Sequence, residues 1–219
     1  MGQSHKSVTL KRWTLFTTFG WIIGILLVLG FAALSEVILR TQGDSSGQAA
    51  VGIGMGTGVG FMQWWVIRKV PGFGQRWFWF YVLGFSVAYI AFDLVAANVV
   101  SSLKPEMGTP FATLLGALIT GWLQYEFVLK KILVRAINWI VAITIGWFCA
   151  HVITASIMLA NGKVGENVPR ILLFILVLAF LTIGGPLLGY MTGRFLVPRI
   201  QQYQMNPSLP PTIVGNTLS

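Results

Sequence analysis

Trp13-Thr14-Leu15-Phe16-Thr17-Thr18-Phe19-Gly20-Trp21 returns as Trp77-Phe78-Trp79-Phe80-Tyr81-Val82-Leu83-Gly84-Phe85, and again as Trp139-Ile140-Val141-Ala142-Ile143-Thr144-Ile145-Gly146-Trp147. In each copy a tryptophan precedes a glycine-aromatic pair by seven residues, and what lies between is apolar, aromatic or hydroxylated. A stretch written three times marks a repeat protein, whose repeat unit sets the architecture before any single side chain does. Each copy is followed by a second apolar stretch rich in small residues. Gly56-x-x-x-Gly60-x-x-Gln63 returns as Ala117-x-x-x-Gly121-x-x-Gln124, and the third copy keeps the small residues Gly185, Gly189 and Gly193.

The chain is 55% hydrophobic and 10% charged, where a soluble domain carries roughly a quarter charged residues. Apolar windows of about 20 residues, enough to cross a hydrocarbon core, fall near Trp13–Leu34, Ala49–Ile67, Trp77–Val100, Phe111–Leu129, Trp139–Leu159 and Ile171–Val197. The fold class expected is therefore an all-α membrane protein. Six transmembrane helices form three tandem pseudo-repeated hairpins, near residues 11–70, 75–132 and 137–200, within one bundle over 1–200. Residues 201–219, with Pro207, Pro210 and Pro211, read as a flexible tail. The first window is too long for a signal peptide's apolar segment and carries the repeat signature, which places it in the mature fold.

The net charge of +9 would point to nucleic acid only if the cations shared one wet face. Here they alternate by loop. Lys6, Lys11 and Arg12 precede the first window, while Arg68, Lys69 and Arg76 join the second to the third. Lys130, Lys131 and Arg135 join the fourth to the fifth, and Arg194 and Arg199 close the sixth. The positive-inside rule puts these regions and both termini in the cytoplasm. The partners expected are membrane lipid and other membrane-protein subunits, with no nucleic acid. Trp13, Trp77 and Trp139, each beside a basic lead, read as headgroup anchors.

A helix turns about 100° per residue, which gathers Gly52, Gly56, Gly60 and Gln63 into one sector and puts Gly54 and Gly58 on the opposite side. Thr113, Ala117, Gly121 and Gln124 repeat that sector. Small residues four apart let helices approach in lipid, and a glutamine adds an interhelical hydrogen bond. The helix-packing set is thus Gly52, Gly56, Gly60, Gly121, Gly185, Gly189 and Gly193, while Gln63 and Gln124 also qualify as lining for a polar path. Asp93 lies deep in the third window, where ionisable residues are costly and tend to be functional. The repeat register aligns Tyr89 with His151. The face Ser86, Tyr89, Asp93 and the face Thr144, Trp147, His151, Thr154 are equivalent, and an Asp93–His151 contact across the bundle would be proton-sensitive.

No nucleophile elbow, zinc-protease helix, Cys/His cluster or phosphate loop is present, so neither catalysis nor a metal is expected. Cys149 is alone and reads as a small core residue. Glu126 and Lys130 stand in the favourable order for a helix ion pair. The Gly-x-x-x-Gly-x-x-Gln-Trp run ending at Trp64, with Arg68 beyond it, and Gly121-Trp122-x-Gln124 with Lys130 beyond it, resemble a group of small multi-pass bacterial proteins, often cyanobacterial, with repeated hairpins of this kind. That resemblance implies a prokaryotic inner or thylakoid membrane and carries no activity. The function expected is a non-enzymatic integral scaffold or accessory subunit that packs against partner helices, lipid or an apolar cofactor of unknown identity. The alternative is a small-solute or ion transporter with a midplane polar site.

Overall fold

The computed structural model describes residues 8–39, 47–98, 105–133, 136–164 and 170–205, with side chains described at fewer positions near the end opposite the basic loops. Among the described residues six α-helices follow one another: α1 (Leu10–Leu39), α2 (Gly47–Ile67), α3 (Arg76–Asn98), α4 (Pro105–Phe127), α5 (Ala136–Val164) and α6 (Arg170–Met205). Among the described residues three stretches, Leu10–Leu34, Gln48–Ile67 and Arg76–Val95, are long and apolar enough to cross a membrane, and Ala136–Val152 is a shorter apolar stretch. No strand occurs among the described residues.

Each helix packs on its sequence neighbours, and α6 returns to α1, so the six close into a ring. The closure follows from where the small residues fall. A Cβ added at Gly56 of α2 would lie 2.8 Å from the Tyr81 carbonyl oxygen of α3, one at Gly121 of α4 would lie 2.7 Å from Ile143 Cγ2 of α5, and one at Gly189 of α6 would lie 2.8 Å from Thr14 Cα of α1. Gly52 and Gly60 face α3 in the same way, and Gly185 and Gly193 face α1. The stripe of α2 and that of α6 thus turn toward α3 and α1, and Gly121 of α4 turns toward α5. The odd helices answer with the glycine of the repeat signature. Gly20 meets Gly58, Gly84 meets Thr120, and Gly146 meets Leu188 within each hairpin.

Local signals shape the ends. Thr9 Oγ1 accepts the Arg12 backbone N–H at 3.2 Å, a side-chain cap on the first turn of α1. The link from α2 to α3 buries Val70 and Phe73 and turns at Gly72, whose φ of 85° only glycine adopts freely. A 3-10 turn at Leu129–Lys131 leads out of α4. Helix α6 continues to Met205, past the expected start of the tail, and Gln201 Nε2 donates to the Val8 carbonyl at 2.8 Å. The expected Pro-containing segment from residue 206 onward lies outside the described residues.

Candidate functional site

A step of four residues keeps nearly the same helix face, and along the odd helices that face points at the axis. It carries Trp13, Thr17 and Trp21 in α1, Trp77, Tyr81, Phe85 and Tyr89 in α3, and Trp139, Ile143 and Trp147 in α5, all buried. Trp13, Trp77 and Trp139 are each 0% exposed. Trp13 meets Trp77 edge-on with centroids 6.1 Å apart, and Trp77 meets Trp139 at 5.7 Å. These three form one aromatic layer. Two turns further, Trp147 touches Trp21 at 5.4 Å and Phe85 at 4.2 Å, which makes a second layer.

The expectation that Trp13, Trp77 and Trp139 are headgroup anchors is therefore corrected. The basic residue before each indole marks the right end of the bundle but does not choose the face, and these rings face inward. The outward aromatic residues near that end are Trp79, Trp122 and Phe127, which are 53%, 54% and 54% exposed, together with Trp65, over whose ring the Arg68 guanidinium carbon stands at 3.4 Å.

Between the aromatic layers lies a polar one. The odd helices supply Thr17, Tyr81 and Ile143, and the even helices supply Gln63, Gln124 and Thr192; all six are fully buried. Gln63 Nε2 donates to Thr17 Oγ1 at 3.2 Å. Trp13 Nε1 donates to Thr192 Oγ1 at 3.1 Å, and the Thr192 hydroxyl donates in turn to the Leu188 carbonyl at 2.7 Å. The Tyr81 hydroxyl lies within hydrogen-bonding reach of the Trp147, Gln63 and Gln124 side chains.

Thr192 and Tyr81 are not among the residues that sequence reasoning singles out. Thr192 is legible all the same: Gly185, Gly189 and Thr192 repeat the spacing of Gly56, Gly60 and Gln63, and of Ala117, Gly121 and Gln124. Reading the third stripe on to Gly193 hides the polar residue beside it. Tyr81 sits one turn beyond Trp77, where the other copies have Thr17 and Ile143, and only its burial identifies it.

The remaining sequence candidates lie toward the other end. Asp93 Oδ2 accepts the backbone N–H of Ala49 at 3.0 Å. Ala49 is in the first turn of α2, whose amides have no partner within the helix, so the carboxylate of one helix caps the start of its neighbour. Tyr89 and Thr113 are bonded at 2.6 Å, and because the Thr113 hydroxyl donates to the Thr109 carbonyl at 2.9 Å, Tyr89 is the donor between them. Thr109 Oγ1 donates to Gln48 Oε1 at 3.1 Å. This network joins α2, α3 and α4. His151, half-buried on α5, has neither a hydrogen bond nor an ion pair with Asp93. The expected Asp93–His151 contact is thus replaced by the Asp93–Ala49 cap.

Lys130 and Glu126 form an ion pair at 2.6 Å, exposed at the basic end. The hydrogen bond to Glu126, and then its charge, holds the Lys130 ammonium above its ordinary range. Cys149 is free and half-buried. No group of three His, Cys, Asp or Glu side chains comes together among the described residues.

Fold and axis define the class: an all-helical protein of membrane type, closed around an aromatic and amide-lined core. The chain matches no family model, no curated protein and no solved structure.

Proposed function

We propose that the chain is a non-enzymatic integral membrane scaffold or accessory subunit, with six spans in three parallel hairpins and both termini on the cytoplasmic side of a prokaryotic-type inner or thylakoid membrane. The observation that carries the reading is the filled axis. Trp13, Trp77, Trp139, Tyr81 and Phe85 are at most 1% exposed, and they occupy the place where a solute path between the repeats would run. The small stripes at Gly52, Gly56, Gly60, Gly121, Gly185 and Gly189 face helices of the same chain, which leaves the large outward side chains for partners. Partner helices, lipid or an apolar cofactor would meet Trp65, Trp79, Trp122, Phe127 and the aliphatic residues around them, and the basic loops would lie against anionic headgroups.

Photocrosslinking tests this reading. A benzoylphenylalanine placed at Trp79 or Trp122 in the native membrane should capture a defined membrane protein at the same ratio in mild-detergent preparations, or retain a pigment or quinone. Capture of bulk lipid alone, by a protein that purifies as a lone monomer, would overturn it. The transporter alternative draws on one observation, the buried amides Gln63 and Gln124 on the axis. Uptake by reconstituted protein that Gln63→Leu abolishes would favour it.

A further inference from the structure

Phe61, Trp65 and Arg68 follow one another at steps of four and three residues, so they share one face of α2. Gly60 and Gln63 turn to α3 and the axis, which leaves that face outward. The Arg68 guanidinium carbon lies 3.4 Å from the centre of the Trp65 ring. The Trp65 ring stands 5.9 Å from that of Phe61, and Phe61 meets Phe78 of α3 edge-on at 6.2 Å. These contacts make one apolar wall that crosses from α2 to α3 and ends at a cation. At 1.5 Å per residue it runs about 10 Å from Arg68 back to Phe61, into the apolar stretch Gln48–Ile67.

The link beyond Arg68 carries two more exposed cations, Lys69 and Arg76. It is a held turn: Val70 and Phe73 are buried, the Val70 N–H donates to the Ile67 carbonyl at 2.8 Å, and the Phe73 N–H donates to the Val70 carbonyl at 3.1 Å. What this end lacks is an acid. No Asp or Glu occurs between Asp44 and Asp93, and Asp93 caps the opposite end of α2. The corresponding exit from α4 differs, because Glu126 there holds Lys130 at 2.6 Å.

A guanidinium stacked on a ring keeps its N–H edge for a planar or phosphate anion. Cations at the mouth and an apolar wall behind them have the form of an amphiphile's counterpart. A soluble acidic protein would meet the cations and leave the wall uncovered, while an apolar helix would cover the wall and leave the cations unmatched. We infer that this seam is a binding site for one anionic phospholipid, with its phosphate against Arg68, Lys69 and Arg76 and an acyl chain along Phe61, Trp65 and Phe78. The inference rests on the membrane placement proposed above and not on a partner subunit, whose test is read at Trp79 and Trp122, so either can fail alone.

The test uses the full chain in phosphatidylcholine vesicles doped with a trace of photoactivatable phosphatidylglycerol or photoactivatable phosphatidylcholine, the reactive group in the acyl chain. Labelled residues are mapped by peptide mass spectrometry. The phosphatidylglycerol probe should label the segments around Phe61 and Phe78 several-fold more than the phosphatidylcholine probe does, with a smaller preference at Phe127 beside the paired Lys130. Arg68→Gln should lower phosphatidylglycerol labelling of the seam about fivefold. Lys130→Gln removes the same charge and should leave that labelling in place. Equal labelling of the parent seam by the two probes would overturn the inference. An equal loss in Lys130→Gln would overturn it as well, by reducing the effect to net charge. So would a benzoylphenylalanine at Phe61 that captures a protein in the native membrane instead of lipid. The first and last of these outcomes need no charge variant.

Discussion

A methyl group at Gly58 is the smallest change that tests the ring. A Cβ added there would overlap the Gly20 carbonyl oxygen and the backbone nitrogen and Cα of Gly24. All three are main-chain atoms of α1, so no side chain can swing away to make room. Non-bonded atoms settle at about 3.5–4.0 Å, so α1 and α2 must part by about 1 Å, and a gap of that size forfeits roughly a quarter to a half of each contact's attraction. Overpacking of this kind costs about 1–3 kcal/mol, and a backbone obstacle along the most extensive helix pair among the described residues places Gly58→Ala at about 3 kcal/mol.

For a chain of this size that loss lowers the midpoint of thermal unfolding by roughly 6–12 °C. The control is Gly30→Ala on α1, where an added Cβ meets nothing within 4 Å and the gain in helix propensity is at most about 1 kcal/mol. Thermal unfolding in one detergent, followed by loss of the monodisperse peak, compares the two variants directly. Equal midpoints for Gly58→Ala and Gly30→Ala would refute the seam between α1 and α2, and with it the closed ring.

Four further outcomes follow from the same geometry. Thr192→Val leaves the Trp13 indole without an acceptor and should destabilise the bundle by about 1–3 kcal/mol, read by thermal unfolding, whereas Thr192→Ser should restore most of it. Asp93→Leu should cost about 1 kcal/mol as a lost cap on α2 and Asp93→Asn less, while His151→Gln adds to either change independently; non-additive losses would reinstate an Asp93–His151 network. Because Lys130 is raised by Glu126, the pair's contribution is complete below the ordinary lysine range of about 10.4 and is lost only as pH rises through the raised value. Glu126→Gln should therefore leave the pH profile of stability unchanged between about 5 and 8. In a Cys149→Ala background, cysteines at Ser46, Ser102 and Asn161 should react with an impermeant reagent added outside intact cells and one at Lys69 should not; the reverse pattern inverts the topology.

The repeat makes the ring legible. Three Trp-x6-Gly-aromatic copies and their small-residue stripes are enough to place Gly56, Gly121 and Gly189 at helix seams, since a glycine four residues from another small residue has little use but close approach. Two things are not legible. A hydrophobic sequence has no polar face to orient it, so nothing local tells whether Trp77 or Trp79 turns outward. Burial settles the pair: Trp77 is inside and Trp79 is 53% exposed. The second is the role of Asp93. Depth in an apolar stretch marks a carboxylate as costly, but its partner is a main-chain N–H at Ala49, a donor of a kind that nearly every residue carries and that no sequence pattern announces.

Where the three copies differ is where the axis differs. The first aromatic layer is tryptophan in all three, and its neighbours one turn on are Thr17, Tyr81 and Ile143, a hydroxyl, a phenol and an aliphatic side chain. The even helices facing them carry Gln63, Gln124 and Thr192. The short threonine stands against Trp13 and closes a bond at 3.1 Å, while Trp77 and Trp139 hold unpaired indole N–H groups near the longer glutamines. A threefold scaffold that needed only to fill its own core could have kept one residue at each position around the axis. Threonine in all three even helices would then have closed three bonds like that of Trp13. The chain instead keeps two amides and a phenol inside apolar walls, at a cost of about 1–3 kcal/mol for each group left unpaired. If Gln124 serves only to fill space, Gln124→Met should raise the unfolding midpoint, because the polar atoms vanish and the volume stays. A lower midpoint would show that the Gln124 amide is bonded in the native protein, whereas Gln63→Met also removes the bond to Thr17 and lowers the midpoint on that account alone.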